Sequence, residues 1–344
     1  MIILGIETSC DETSVAVVKN GREILSNIIA SQIELHRKTG GVVPEVAARE
    51  HVVKIVPTLD EALKKAKIPL GAIDAIAVTA GPGLLSSLLI GVNAAMTLAL
   101  FLKKPLIPVN HIEGHIYANF LGAQTRPQFP AAVLTVSGGH NELLLWKNHG
   151  SYKFLGATLD DAAGEAFDKV ARLLGLSYPG GPSIQKAAAK GNPNRYPLPR
   201  AWLPESPWDF SFSGLKTAVL YLVKNRRLTP KFVADVAASF QEAVCEVLAI
   251  KLIRAAKKFR IREIHLAGGV SANQRLRELA ERLIAKNWPD DGAPLLRFCR
   301  DLTLCTDNAA MIAAAGFYKY KKNPARYKKW KPIIADPNLE IKNW

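Results

Sequence analysis

The sequence predicts a duplicated α/β fold, and three observations carry that prediction. Short apolar runs of strand length alternate with longer stretches of helical periodicity, the pattern of mixed α/β proteins. A strand, glycine turn and helix occur at 73–102 and again at 263–283. Each half also opens on two apolar runs joined by a polar turn, so both read hairpin, third strand, helix, strand, glycine turn, helix. An internal duplication is the simplest account.

Taken in order, Ile2 to Ile6 is an expected first strand, followed by the polar turn Glu7-Thr8-Ser9-Cys10-Asp11-Glu12-Thr13-Ser14. Val15 to Val18 returns and ends at Asn20-Gly21, a hairpin signal, and Arg22 to Ala30 reads as the third strand. An acidic, hydroxyl-rich turn of this kind can hold a phosphate or its metal, or can simply be solvated. Pro44 to Lys67 has helical spacing, with Val46, Val53, Val56, Leu59 and Leu63 on one side. Ile73 to Thr79 is a buried strand, and Ala80-Gly81-Pro82-Gly83 turns it into an apolar helix from Leu84. Free N–H groups at that helix start suit an anion, although close helix–strand packing asks for the same glycines. Ala75 to Leu102 contains no charged residue and is long enough to span a bilayer. The glycine turn splits it, and Ser86, Ser87, Asn93 and Thr97 interrupt the helix, so a buried strand–turn–helix is expected.

In the second half Ala131 to Val136 is a strand, Ser137-Gly138-Gly139-His140-Asn141 a glycine turn and Glu142 to Trp146 the return. A helix is expected from Asp160-Asp161-Ala162-Ala163-Gly164-Glu165, its acids in the first turn. Asp168 lies too deep in that helix to be its cap. An irregular insertion at about 175–229, rich in Pro, Gly, Trp and Arg, is the kind of segment that carries a binding surface. Phe232 to Phe259 reads as one long helix, broken at most once. Glu263 to Ala267 is a strand, and Gly268-Gly269-Val270-Ser271-Ala272-Asn273 opens a helix. The expected domains are 1–125, 126–325 with the insertion, and a basic tail at 326–344.

The formal charge of +15 thickens towards the end, where Lys319 to Lys331 holds seven lysines and arginines with aromatics between them. Such a surface suits a polyanion better than a membrane, although charge alone also fits a merely soluble basic surface. Cys10, Cys245, Cys299 and Cys305 show no C-x-x-C pairing, which fits a reducing cytosol. The amino-terminal run lacks a basic region and a cleavage site, so it is expected to be a strand and not a signal peptide.

The sharpest chemical signal is Val109-Asn110-His111-Ile112-Glu113-Gly114-His115. Histidines four apart share one helix face and can reach one divalent cation. Zinc proteases use such a pair, but here Glu113 is turned roughly 200° from His111, badly placed for a general base. Cys305-Thr306-Asp307-Asn308 offers a third acid ahead of an alanine-rich helix. Capping is its ordinary role, and metal ligation would require the two halves to close on each other.

Taken together these stretches closely resemble the tRNA N6-adenosine threonylcarbamoyltransferases, in the bacterial TsaD type. The resemblance covers nearly the whole chain. It rests on Gly5 to Thr13, Gly81-Pro82-Gly83-Leu84, His111 to His115, Val136 to His140, Ala163 to Lys169, Asp209 to Thr217 and Gly268 to Asn273. It implies the actin-like ATPase fold of actin, sugar kinases and Hsp70, two duplicated α/β lobes with a central cleft. It implies an acyltransferase that moves a threonylcarbamoyl group from threonylcarbamoyl-adenylate to N6 of adenosine 37 in ANN-decoding tRNAs, forming t6A and releasing AMP. One iron or zinc ion, Fe(2+) or Zn(2+), would be held at His111, His115 and Asp307. The adenylate would be held by Thr135, Val136, Ser137, Gly138, Gly139, Asp168, Gly181 and Asn273. Gln185 stands where bacterial members usually carry an acid, so a charged role there is replaced by that of an amide.

The resemblance also implies protein partners of the TsaB and TsaE type, a cytoplasmic location and no membrane. An activated donor needs no protein nucleophile, and the acceptor of the amine proton is unassigned, with Asp11 and Glu12 as candidates. The two glycine turns are expected to face each other across the cleft. The rival readings are a metalloendopeptidase of the O-sialoglycoprotein type and a sugar kinase or ATPase of the same fold.

Overall fold

The computed structural model describes residues 1–344 except 40, 124, 290 and 291, and the side chain of Lys38. The chain divides into two compact units, one of Met1–Pro127, His149–Ser151 and Cys299–Trp344, the other of Gln128–Asn148 and Tyr152–Phe298. The segment from Cys299 onward, expected as the end of the second lobe plus a tail, therefore belongs with the first unit.

In the first unit β1 (Ile2–Glu7), β2 (Glu12–Lys19) and β3 (Glu23–Ser31) form an antiparallel meander. A short α1 (Ile33–Thr39), which the sequence did not signal, and α2 (Pro44–Ala66) lead to β4 (Ala75–Gly81). Then come α3 (Leu85–Leu102), β5 (Leu106–Asn110) and α4 (His111–Ala118). Strands β4 and β5 add in parallel to β1, giving the order β3-β2-β1-β4-β5. The parallel strands are almost wholly buried, which is why their sequences are continuous apolar runs.

The second unit repeats this plan. It holds β6 (Ala131–Val136), β7 (Asn141–Asn148), β8 (Ser151–Ala157), α5 (Ala163–Leu173), α6 (Gly180–Ala188), α7 (Ser213–Val223) and α8 (Pro230–Phe259). Strand β9 (Glu263–Ala267), α9 (Gln274–Asn287) and the three-residue β10 (Leu295–Arg297) follow. The sheet order β10-β9-β6-β7-β8 is the first sheet's order with each strand replaced by its counterpart. The expected duplication is thus present strand for strand. Helix α8 runs without a break, and the insertion expected to be irregular supplies α6 and α7.

Two expectations about helices are corrected. In α2 the buried positions are Ala47, His51, Ile55, Thr58 and Ala62, while Val53 and Val56 are 62% and 69% exposed. The inward stripe is set by His51, which meets Thr13 Oγ1 at 2.7 Å and the Cys10 carbonyl at 3.0 Å, and the valines one and two positions round the helix from it are turned outward. Helix α5 begins at Ala163, and the acids ahead of it are engaged elsewhere. Asp160 accepts from the backbone N–H groups of Phe212 and Ser213 at the start of α7, and Asp161 pairs with Lys169 and Lys216.

The last helix, α10 (Ala309–Lys322), explains why the chain's end joins the first unit. It packs on β1 and α4 so tightly that a Cβ at Gly5 would lie 2.2 Å from the Ala309 carbonyl oxygen. Beyond it the chain is mostly without regular structure and is tied down by backbone bonds from Asp336 to Ala80 and from Gly83 to Pro337. Glu113, on the face of α4 away from its histidines, is 1% exposed; it receives Lys319 Nζ of α10 at 3.0 Å and the indole N–H of Trp344. Removing the carboxylate leaves a largely buried ammonium unpaired. Glu113→Ala should therefore cost about 3 kcal/mol in denaturant unfolding, and Glu113→Gln combined with Lys319→Met should recover most of it.

Candidate metal centre and nucleotide loops

Strand β5 hands the chain directly to α4, whose first turn is capped by the Asn110 side chain accepting from the N–H groups of Ile112 and Glu113. That cap fixes the register of the helix, and the four-residue spacing brings both imidazoles to one side. Asp307 arrives two residues ahead of α10, and Asn308 is the cap of that helix, its side chain accepting from Met311 N–H. Asp307 therefore does not cap α10. It turns to the histidines instead, and because it belongs to the same compact unit no closure of two halves is needed.

His111 Nε2 and His115 Nε2 are 3.1 Å apart, and Asp307 Oδ1 lies 3.4 Å and 3.2 Å from them. Ligands about 2.0–2.1 Å from a tetrahedral zinc are spaced about 3.3 Å, so this triangle fits three corners of such a site. Behind it, His111 Nδ1 meets Glu7 Oε2 and Ser9 Oγ, each at 3.1 Å. Thr79 Oγ1 in turn donates to Glu7 at 2.6 Å. A carboxylate behind a ligating histidine fixes the ring's orientation and raises its basicity.

The charges in this pocket are strongly coupled. Burial disfavours the cationic form of His111, but Asp307 and Glu7 outweigh it and hold its pKa well above the usual value. Burial likewise opposes ionisation of Asp307, and the two histidines overcome it and pull its pKa far down. Burial pushes His115 the other way, below the usual value, the neighbouring His111 adding to it. Beside the triad, burial raises the pKa of Glu12, with Asp11 and Asp307 adding to the rise, while Ser31 donates to its carboxylate.

The other candidate residues gather in the second unit, at the carboxyl ends of the parallel neighbours β6 and β9. The two glycine turns there lie side by side, in contrast to the expectation that they face each other across a cleft. Gly268, at φ +83°, passes so close that a Cβ would lie 2.5 Å from the Val136 carbonyl oxygen. Around them stand the starts of three helices. Gly164 N–H of α5 donates to the Ser137 carbonyl, Gly180 N–H of α6 to Asp168 Oδ1 at 2.6 Å, and Gln274 N–H of α9 to Gln185 Oε1 at 2.8 Å. Gly181 lies in the first turn of α6. Asp168 thus does cap a helix, but a neighbouring one. Gln185 joins α6 to α9, a task for which an amide serves.

Several groups in these loops are uncommitted. Gly138 and Gly139 are exposed, and their N–H groups have no acceptor among the described residues. The hydroxyls of Thr135 and Ser271 are buried without a partner among the described residues, a rare and informative condition. Open N–H donors beside helix starts suit a phosphate. The Asn273 side chain, in contrast, is committed: it caps α9 and donates to Gln241 at 2.9 Å, so it holds the turn in shape. Sequence reading missed Glu7 and Ser9 as support for the triad; their place in a polar turn right after a strand was the available signal.

Metal analysis should find the metal content of His111→Ala/His115→Ala near zero against about one equivalent in the parent. For the second unit, AMP affinity should fall at least about tenfold in Gly139→Val, which crowds the open glycine turn, and by less in Asn273→Ala, which loosens its neighbour. Equilibrium binding at fixed salt reads both, and unchanged affinity in both variants would sink the nucleotide assignment.

Residues 23–314 match the family model described as TsaD, tRNA N6-adenosine threonylcarbamoyltransferase. The chain is 56% identical to a tRNA N6-adenosine threonylcarbamoyltransferase of Thermomicrobium roseum over 99% of this chain and 95% of that protein. It is 55% identical to the Bacillus subtilis enzyme of the same name over 94% and 91%. Among solved structures, HypF of T. kodakarensis matches with a TM-score of 0.62 at 15% identity, covering 93% of this chain and 48% of that one. Component A of the (R)-2-hydroxyglutaryl-CoA dehydratase of Acidaminococcus fermentans matches at 0.53 and 15%, covering 93% and 99%. At such identities these likenesses concern the fold alone, and with the repeated sheet order they show the actin-like ATPase fold. The chain belongs to the tRNA N6-adenosine threonylcarbamoyltransferase family, acyltransferases that modify adenosine in tRNA to t6A.

Proposed function

We propose that this enzyme takes the threonylcarbamoyl group from threonylcarbamoyl-adenylate and delivers it to N6 of adenosine 37 in ANN-decoding tRNAs. The observation that carries the reading is the His111–His115–Asp307 triangle with Glu7 behind it, in a chain of this family. The ligand set of two imidazoles and a carboxylate suits Fe(2+) or Zn(2+). When bound, such an ion supplies a Lewis-acid centre that orients and polarises the acyl donor.

The remaining chemistry is assigned to the chain's own groups. The N6 amine of adenine attacks the carbamoyl carbon, the C–O bond to the adenylate phosphate breaks, and AMP departs with the bonding pair. The amine proton must go to a base. Asp11 and Glu12, at the start of β2, are the acid candidates for it. The N–H groups of Gly138 and Gly139 bind the phosphate and the charge that develops on it, and the α6 start at Gly181 adds to their field.

A protein partner of the TsaB type would cover the apolar face that α2 and α3 leave open. Val52, Val53 and Val56 are exposed on α2, as are Leu85, Leu89 and Phe101 on α3. Helix α3 is long and apolar enough to cross a membrane by composition, with 33% of it buried; interruption by polar residues and its place beside β4 favour a partner-facing helix instead. A TsaE-type ATPase and a cytoplasmic location complete the proposal. The basic chain end and the insertion are proposed to hold the tRNA, although Lys319 is already neutralised by Glu113.

Glu113 speaks against the peptidase reading, since its carboxylate is bound to Lys319 and Trp344 and not directed at the triad. Nucleoside analysis of tRNA after incubation with the protein, its partners and the adenylate should show t6A that depends on this chain. If no t6A forms while casein is cleaved or a sugar is phosphorylated from ATP, the assignment falls.

A further inference from the structure

A second basic stretch, outside the chain's end, remains unused. Lys251 to Arg262 carries six lysines and arginines in twelve positions and no acid. It covers the last turns of α8 and the approach to β9. Lys251 is buried and donates to the Asp209 carbonyl, so it is structural. Arg254, Lys257, Lys258, Arg260 and Arg262 are exposed, and none has an ion pair among the described residues. Lys257 meets only a neutral amide, that of Asn287 at 3.1 Å.

These charges are positioned without being neutralised. Arg254 lies 5.4 Å from the centre of the Trp202 ring, and Lys258 5.5 Å from that of Trp208. Trp208 is 6.3 Å from Phe259, over which Lys153 of β8 stands at 5.6 Å. Both tryptophans come from the insertion. Cation–π contacts hold a headgroup in place yet leave its charge uncompensated. Attraction to a helix C-terminus accounts for Lys257 and Lys258, but not for Arg260 and Arg262 beyond the helix or for Lys153 on another strand.

We propose that this face of the second unit, Arg254, Lys257, Lys258, Arg260 and Arg262 with Lys153, is a docking surface for the phosphate backbone of the tRNA. The proposal rests on the tRNA-modifying reading and gives it a contact region independent of the chain's end. The favoured occupant is RNA because concentrated, unpaired cations on one face match a row of phosphates. The distance is suitable. Strand β9 starts right after Arg262 and leads into Gly268 of the nucleotide loops, and its five residues span about 17 Å at about 3.3 Å each. One RNA helix can therefore reach both.

The test is tRNA affinity measured across salt concentrations for the parent and for Arg254→Gln/Lys257→Gln/Lys258→Gln/Arg260→Gln. The salt slope should flatten by about 0.7–0.9 for each phosphate no longer neutralised, roughly 3 in all, with affinity down by about two to three orders of magnitude near 0.1 M salt and the two curves converging near 1 M. AMP binding and the unfolding midpoint should be unchanged. If the fourfold variant does not fold, Lys257→Gln/Arg260→Gln should show about half the change in slope. A Lys328→Gln/Lys329→Gln variant run alongside reports on the chain's end separately. If the parent binds tRNA and forms t6A but the α8 variants keep its slope, this surface is refuted and the enzymatic reading stands. Loss of partner-protein binding with an unchanged tRNA slope also refutes it, in favour of an acidic protein. A parent that neither binds tRNA nor forms t6A refutes both.

Discussion

A half-buried carboxylate set against two buried imidazoles governs the first unit. Asp307 and His111 are each driven by the other into the charged form that burial would deny them alone, and Glu7 completes the set from behind. Such a cluster is costly to bury unless its members meet with good geometry. The packing of α10 on α4 supplies that geometry. Gly5 and Gly114 let the helix approach, since a Cβ at either would meet α10 within 3 Å. Glu113, Lys319 and Trp344 then clamp the opposite face. The packing brings all three donors to one place, which is the condition for a tight and selective site.

The second unit works differently. Its candidate groups are backbone N–H groups and helix starts at the ends of two parallel strands, the usual place for ligands in open α/β sheets. The side chains here mostly hold loops to one another: Asp168 caps α6, Gln185 reaches α9 and Asn273 caps α9 and binds Gln241. What remains open is the backbone of Gly138 and Gly139 and the hydroxyls of Thr135 and Ser271. A site of this kind depends on loop shape, so replacing a scaffold residue is felt at the ligand even where that residue never touches it.

The basic charge of the chain likewise divides by context. Lys251 and Lys319 are interior and serve the fold, the one on a carbonyl and the other on Glu113. Arg254, Lys257, Lys258, Arg260 and Arg262 are exposed and uncompensated, so they project a field into solvent. A count of lysines and arginines could not separate the two groups. The same holds for α2, where valines that read as a core face are outward and Ala47, His51, Ile55, Thr58 and Ala62 lie inside.

The sequence by itself determined the duplicated α/β plan, because strand-length apolar runs and glycine turns are local signals repeated in both halves. It also determined the histidine pair, since four-residue spacing on a helix is a geometric fact independent of the rest of the fold. Only the tertiary structure decided that Asp307 belongs to the unit of His111 and His115, because the return of α10 to β1 and α4 is a long-range packing choice with no local marker. It alone decided that the two glycine turns are neighbours, which follows from β6 and β9 pairing across more than a hundred residues. It also decided which charges are neutralised, since hydrogen-bond partners distant in sequence, not composition, set whether a lysine is a strut or a docking point.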